Sequence, residues 1–263
     1  MTTRRIVLAA GASLSAAAMA GAAAAQAQSA GKTFVLVHGA WHGGWCWRRV
    51  SDLLEQRGHK VFTPTLTGLG ERSHLMSRDI NLDTHILDVV NVIKWEDLKG
   101  ICLVAHSYGG WPVSGAIEQS LDRIASVVFL DAFLPEDGQK GFDFASEFSR
   151  KGTLEAQQRG DISRPPPPAT TFHVNEKDRA WVDSKTTPQP LALAFPPIKL
   201  TGAREKVAKK TYIRAPVYEQ PAFDKYYADK KADASWRTYQ VTSGHDVMID
   251  MPERLVEILL ESA

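Results

Sequence analysis

The sequence is poor in cysteine: Cys46 and Cys102 are the only two in 263 residues. A fold stapled by several disulfides is therefore excluded, as is a cysteine-built zinc site. Cys102 falls in an apolar run, which points to core packing. The eight histidines are scattered, and neither Cys-x-x-Cys nor His-Glu-x-x-His occurs, so no metal is expected. Single-sign charge is missing too. Thirty-one Lys and Arg face 30 Asp and Glu with no basic run. That balance argues against nucleic acid or an anionic membrane as a partner. There is no G-x-G-x-x-G and no Walker lysine pattern, so no nucleotide cofactor is expected either.

What is present begins with a leader. Thr3-Arg4-Arg5-Ile6-Val7-Leu8 reads as a twin-arginine start, an Ala/Gly/Ser-rich stretch runs to about Ala25, and Ala25-Gln26-Ala27 offers an A-x-A cleavage site. The stretch is too weakly hydrophobic for a permanent span, and no second apolar run follows. Residues 1–27 are expected to be a signal peptide, and the mature chain to be periplasmic or secreted. Cleavage would leave 29 basic residues (31 less Arg4 and Arg5) against 30 acidic ones.

Beyond the leader, short β-rich runs alternate with helical patterns. The strand candidates are 33–38, 60–64, 101–106, 126–131, 210–214 and 237–241. Their centres are continuously apolar, as in Phe34-Val35-Leu36-Val37 and Val127-Val128-Phe129-Leu130, which suits strands buried on both faces. Trp47, Val50, Leu53 and Leu54 recur at helical spacing, as do Ile86, Val89, Val90 and Ile93. A last helix, 252–260, begins with a proline. This pattern predicts an α/β fold with a mostly parallel sheet and helices on both faces.

One region breaks the alternation. Between Phe133 and about Lys206 no good strand appears, and prolines cluster at 165–168 and again at Pro188, Pro190, Pro196 and Pro197. Such a long interruption inside a domain is usually functional. Residues 133–206 are expected to form a helical cap inserted in a core of 31–132 and 207–263. Its aromatics (Phe142, Phe144, Phe148, Phe172, Trp181, Phe195) either line a pocket or pack the cap onto the sheet.

The most informative segment is Ile101-Cys102-Leu103-Val104-Ala105-His106-Ser107-Tyr108-Gly109-Gly110. An apolar strand runs into a small-x-Ser-x-Gly turn followed by a helix, the setting that holds a serine hydroxyl above a sheet edge. Ser107 is thus the candidate nucleophile. Serine needs a base, and His245, in the turn Val241-Thr242-Ser243-Gly244-His245 after the last strand, has the placement for it. His106 adjoins the serine but would point away across the tight turn. An oxyanion needs two backbone donors. The N–H of Tyr108 and that of Ala40, in the glycine-rich loop after the first strand, are the candidates.

These residues resemble a known family. His38-Gly39-Ala40-Trp41-His42-Gly43-Gly44-Trp45-Cys46-Trp47, Gly58-His59-Lys60-Val61 and the Ser107 and His245 turns are similar to α/β-hydrolases of the plant methyl-salicylate esterase and hydroxynitrile lyase branch. Thr63-Pro64-Thr65-Leu66-Thr67-Gly68-Leu69-Gly70-Glu71-Arg72 and Leu130-Asp131-Ala132-Phe133-Leu134-Pro135-Glu136 resemble bacterial pyrethroid-hydrolase-like esterases. The first position of the usual G-x-S-x-G is Ala105 here, a mild departure. The resemblance implies the α/β-hydrolase fold, a Ser-His-acid triad and no cofactor. It covers about 33–135 and 236–260, leaving the cap outside.

The acid has two candidates. The plant enzymes carry an aspartate after the strand that ends here near Arg214, where only Glu219 is available. Asp131 closes the earlier strand, an arrangement that resembles zearalenone-hydrolysing lactonases. A carboxylate ending the run Val-Val-Phe-Leu is costly unless partnered, and His245 would partner it, which favours Asp131. The expected activity is hydrolysis of hydrophobic small-molecule carboxylic esters, with Trp41 and Trp111 near the substrate. The competing readings are a lactone hydrolase, a hydroxynitrile-lyase-like enzyme and a non-catalytic ligand-binding protein on the same fold.

Overall fold

Continuous burial along the central strands, on both faces of the sheet, organises the molecule. The computed structural model describes residues 31–263, so the twin-arginine segment and the expected cleavage site lie outside the described residues. The side chain of Phe148 lies outside them too. The strands are β1 (Thr33–Val37), β2 (Lys60–Phe62), β3 (Ile101–His106), β4 (Ile124–Leu130), β5 (Ser163–Arg164), β6 (Gln189–Pro190), β7 (Lys209–Arg214) and β8 (Trp236–Gln240). The helices are α1 (Arg48–Glu55), α2 (Leu82–Trp95), α3 (Gly110–Ser120), α4 (Glu147–Arg159), α5 (Glu176–Lys185), α6 (Pro221–Ala232), α7 (Val247–Asp250) and α8 (Pro252–Ser262).

Six strands pair in the order β2-β1-β3-β4-β7-β8, every pairing parallel. All six expected strands form, with ends shifted by two residues at most. Because side chains alternate across a strand, Phe34, Leu36, Cys102, Val104, Val128 and Leu130 face one way. They meet Val50 and Leu54 of α1 and Val256 and Leu259 of α8. Val35, Val37, Leu103, Ala105, Val127 and Phe129 face the other way, onto Val89 and Ile93 of α2 and Val113 and Ile117 of α3. Each fully buried side chain of this size contributes about 1.5–3 kcal/mol. Local signals set the helix starts. Asn81 accepts the Thr84 N–H (3.1 Å) and Thr84 Oγ1 accepts the Asn81 N–H (3.2 Å), a reciprocal cap on α2.

The interrupted region holds α4 and α5 joined by the proline run, and it also contains one feature the sequence reading lacked. β5 and β6 pair antiparallel, Ser163 with Pro190 and Arg164 with Gln189. Two-residue strands carry no alternation to detect, and Pro190, with no N–H to donate, is tolerated in a ladder this short. Part of the cap is core: Ala169, Phe172, Val174 and Val182 join the cluster on the α1 and α8 face. The cap aromatics mostly pack on one another and on the domain. Phe142 stacks on Phe195, Phe144 meets Trp111 and Phe133, and Trp181 meets Trp45. Both cysteines are buried and free. Among the described residues no helix is long and apolar enough to cross a membrane.

Candidate active site

In a parallel sheet the carboxyl ends of the strands share one edge, where α/β proteins gather functional residues. Here the register aligns Val37 with Ala105, His106 with Leu130 and Leu130 with Ile213. The residues just past these positions therefore emerge side by side: His38, Ser107, Asp131 and Arg214.

Ser107 follows β3 with φ +53°, a left-handed conformation that non-glycine residues adopt at some energetic cost and that the strand-to-helix turn requires. Phe133 N–H bonds the Ser107 carbonyl at 3.1 Å. Tyr108 begins the turn leading into α3, where backbone N–H groups have no acceptor within the helix. Its ring is anchored elsewhere, with the hydroxyl 3.1 Å from His85 Nδ1.

Gly39 brings the first loop against this turn. A Cβ at that position would lie 2.9 Å from Ser107 Cβ and 2.9 Å from His106 Nδ1, so glycine is needed for space rather than for φ. Next to it, the Ala40 N–H has no partner among the described residues. The following peptide is held on both sides, because the Ala40 carbonyl accepts from His42 Nδ1 (2.7 Å) and Trp41 N–H donates to Gln189 Oε1 (3.0 Å). Trp41 itself sits at φ +63°, and its carbonyl accepts the Thr187 N–H at 2.9 Å. Two cap residues thus pin the loop.

His245 is buried, its backbone N–H donated to the Phe172 carbonyl at 2.8 Å. Tyr218 stacks on its ring at 4.2 Å, and Phe223 and Phe172 lie at 5.9 Å. Nδ1 is 2.7 Å from Asp131 Oδ2. Asp131, at φ +43° and wholly buried, turns its other oxygen to Arg214 Nη1 (2.7 Å) and the Ala215 N–H (3.0 Å). Glu219 is exposed and forms no hydrogen bond with His245, whose Nδ1 meets Asp131. Of the two acid candidates, Asp131 is the one that meets the imidazole.

Among the described residues no hydrogen bond joins the Ser107 hydroxyl to His245. Catalytic bonds of this type often close only with substrate bound. His106 ties the two turns together: its Nε2 donates to the His245 carbonyl (3.1 Å) and its ring lies 4.5 Å from the His245 ring. Trp111 is buried against Phe133 and Phe144, which makes it a packing residue.

Sequence reasoning missed Arg214. Its guanidinium is buried and donates further to the Ala215 carbonyl, the Tyr218 carbonyl and Asp224. Burial disfavours the cation, but hydrogen bonding to Asp224 and the Asp131 charge hold its pKa above the usual guanidinium range. The available signal was an arginine closing a strand of the sheet right after Tyr212 and Ile213, since a charge buried there requires a partner. Among the described residues no group of three or more His, Cys, Asp or Glu side chains could hold a metal ion.

A serine at a left-handed strand-to-helix turn and an imidazole backed by a carboxylate stand at one sheet edge, the residue types that acyl transfer uses. The chain belongs to the alpha/beta hydrolase family, whose profile matches residues 34–258, and stands among its carboxylic ester hydrolases. It is 37% identical over 235 residues to a carbendazim hydrolyzing esterase of a Nocardioides species, covering 86% of this chain and 97% of that one. Among solved structures it is similar to an extracellular α/β-hydrolase from a Paenibacillus species, described as a structural and functional homologue of tobacco salicylic acid binding protein 2. The TM-score is 0.75 at 24% identity, covering 88% and 99% of the two chains. A pyrethroid hydrolase of Sphingobium faniae aligns with TM-score 0.67 at 22% identity, covering 88% and 96%.

Proposed function

We propose that the protein is a serine esterase that cleaves hydrophobic small-molecule carboxylic esters through an acyl-enzyme on Ser107. The observation that carries the reading is the 2.7 Å contact of His245 Nδ1 with buried Asp131, at the sheet edge where Ser107 emerges. His245 Nε2 takes the hydroxyl proton as Ser107 Oγ bonds to the ester carbonyl carbon, and the carbonyl oxygen becomes an oxyanion held by the Ala40 and Tyr108 N–H groups. Collapse of this intermediate breaks the bond to the alcohol, which leaves with the proton from His245. Water, deprotonated by the same imidazole, then releases the acid and restores Ser107. Asp131 holds the proton on Nδ1, so that Nε2 keeps its lone pair for the serine, and it balances the imidazolium that forms. No cofactor takes part in this sequence. Trp41 and Phe172, against the loop and the base, supply an apolar wall.

Labelling with a fluorophosphonate probe tests the class: wild type should be labelled, and Ser107→Ala should not. An unlabelled wild type, or a labelled Ser107→Ala, would sink the reading. The names of the bacterial relatives suggest the substrate panel, carbendazim and pyrethroid esters beside p-nitrophenyl and methyl esters, with lactones as the competing class. We further propose that residues 1–27 direct export by the twin-arginine route, on the motif and the A-x-A site.

A further inference from the structure

Hydrogen-bond partners assign the charge of the buried histidines around this site. His38 Nδ1 faces the Gly39 carbonyl (2.8 Å), which only accepts, while Nε2 faces the Leu66 N–H (3.0 Å), which only donates. That ring carries one proton and is neutral, and burial lowers its pKa to about 3. His85 Nε2 donates to the Thr67 carbonyl (2.9 Å), and its Nδ1 can accept from the Tyr108 hydroxyl. It is neutral as well, with burial lowering its pKa to about 4.

His42 differs. Nδ1 lies 2.7 Å from the Ala40 carbonyl and Nε2 lies 3.2 Å from Asp246 Oδ2. With a carbonyl on one side and a carboxylate on the other, both nitrogens must donate, and a ring that donates twice is an imidazolium. Burial opposes that charge, but the charge and hydrogen bond of Asp246 outweigh it and raise the pKa of His42. Burial, the largest influence, works against the Asp246 anion, yet the charge and hydrogen bond of His42, with the neighbouring histidines, lower its pKa to about 2. The pair is almost wholly buried, at 1% and 0% exposure.

The groups packed around this pair offer no other cation. Trp45 stacks on the His42 ring at 5.2 Å and the Phe172 edge lies at 5.6 Å. His106 lies 6.3 Å away, its Nε2 3.8 Å from Asp246 Oδ1 but donated to the His245 carbonyl. Burial pushes the His106 pKa well down, and pushes the Cys46 thiol well up, so both are neutral beside the pair. His38 is neutral on its own hydrogen bonds, and the other titratable groups whose charge bears on Asp246 are the proposed base His245, Tyr218 and the Asp250 carboxyl.

We propose that His42 is a resident imidazolium and a positioning residue for ester cleavage, clamping the oxyanion loop at the Ala40 carbonyl to Asp246 beside the base. The proposal rests on the serine-esterase reading above. Its mechanical part is the peptide between Ala40 and Trp41, held by His42 at the carbonyl and by Gln189 at the N–H. With that peptide fixed, the preceding Ala40 N–H is aimed before substrate arrives. Its electrostatic part concerns the two buried carboxylates next to His245. Asp131 is balanced by Arg214, and Asp246 by His42. Were Asp246 uncompensated, its charge would attract a proton to the ring that must accept one from serine.

The test uses the intact enzyme labelled with 15N-histidine. Both His42 nitrogens, recognised by their contacts with the Trp45 indole, should show the protonated chemical shift at neutral pH. His42→Gln should lower kcat by about 10²-fold, the cost of a small displacement of a catalytic donor, with KM near wild type. A trifluoromethyl ketone, whose hemiketal oxyanion uses the same donors, should lose affinity in step with kcat/KM. The acid limb of the kcat/KM profile should move to higher pH in His42→Gln, where Asp246 is left alone. It should stay in place in Asp246→Asn, where both charges are gone, although kcat falls there too. A bare lone pair on either His42 nitrogen at neutral pH overturns the charge assignment; so does a neutral Asp246 carboxyl. Wild-type turnover in both variants overturns the positioning role. If the variants do not fold, wild-type kcat should decline at the alkaline pH where the nitrogen signals show His42 losing its proton, and separate transitions overturn the coupling. Failure of the esterase reading is distinct, because wild type would then escape fluorophosphonate labelling whatever the His42 spectrum shows.

Discussion

Asp131→Asn puts the proposed acid to a test whose outcome the geometry dictates. The Oδ1 side of Asp131 faces two donors, Arg214 Nη1 at 2.7 Å and the Ala215 N–H at 3.0 Å, while the Oδ2 side faces only His245 Nδ1 at 2.7 Å. An asparagine amide in this slot must turn its oxygen toward the two donors, because the reverse would set an NH₂ against a guanidinium and an amide. Its NH₂ then points at His245 Nδ1 and can be satisfied only if that nitrogen accepts. The proton is driven to Nε2, the nitrogen that has to receive the serine proton. The variant therefore folds with the base in the wrong tautomer, and kcat should fall by about 10⁴-fold, the cost of that error in a serine triad. KM should change little, since the substrate pocket is untouched. Hydrolysis of p-nitrophenyl acetate followed by initial rates gives both parameters, and the rate of fluorophosphonate labelling should drop in parallel. Glu219→Gln, an exposed change, should behave as wild type. The reasoning fails if Asp131→Asn keeps a tenth or more of wild-type kcat, roughly the loss expected from a weakened orienting bond alone, or if Glu219→Gln shows the large loss.

Gly39→Ala would drive a methyl to 2.9 Å from both Ser107 Cβ and His106 Nδ1, pushing the loop off the nucleophile. We expect a folded protein with kcat lowered about 10²-fold, and wild-type turnover would show that the loop has room to spare. Arg214→Met leaves the buried Asp131 anion without its cation, which should destabilise the fold by about 3–5 kcal/mol and lower the melting temperature by about 10 °C. A shift below about 2 °C by differential scanning fluorimetry would mean that Asp131 needs no counter-charge there. Replacing both Arg4 and Arg5 by lysine should hold the protein in the cytoplasm of a host with a working twin-arginine pathway. Fractionation that still finds it in the periplasm would refute that route.

The architecture was legible because its signals are local. Runs such as Phe34-Val35-Leu36-Val37 announce strands covered on both faces, and the turn after β3 announces where one loop must stand above the sheet. His245 could be singled out as the candidate base because only one histidine follows the last strand, at a turn of small residues. The rest depends on contacts that no local pattern encodes. Asp246 adjoins His245 in sequence but makes no hydrogen bond with its Nδ1, which meets Asp131 instead. Its partner, His42, lies 204 residues away in sequence. His42 itself stood in plain view inside the glycine-rich loop, but two acceptors on one ring are visible only in space. Gln189 escaped notice for the same reason: it sits in a proline-rich stretch of the cap that has no periodicity, and its function is to hold Trp41 in a loop distant in sequence.

The position of the proposed acid follows from the register. Leu130 of β4 pairs with Ile213 of β7, and the Asp131 N–H bonds the Ile213 carbonyl at 2.7 Å. The residues that end these two strands are therefore neighbours at the same height above the sheet, and a carboxylate grown from either could reach one imidazole. In this chain the β4 end carries the proposed acid, and the β7 end carries Arg214, a cation facing Asp131. Moving the acid back to the β7 side would thus require two changes together. An aspartate past β7 in the presence of Asp131 would crowd two carboxylates around His245 with one guanidinium to balance them, and one carboxyl would take up a proton. Removing Asp131 alone would leave Arg214 with Asp224 as its remaining anion at 2.8 Å, a smaller loss than the one expected for Arg214→Met. The run Val-Val-Phe-Leu marked Asp131 as a carboxylate in need of a partner, and the register supplies two, Arg214 on one oxygen and His245 on the other.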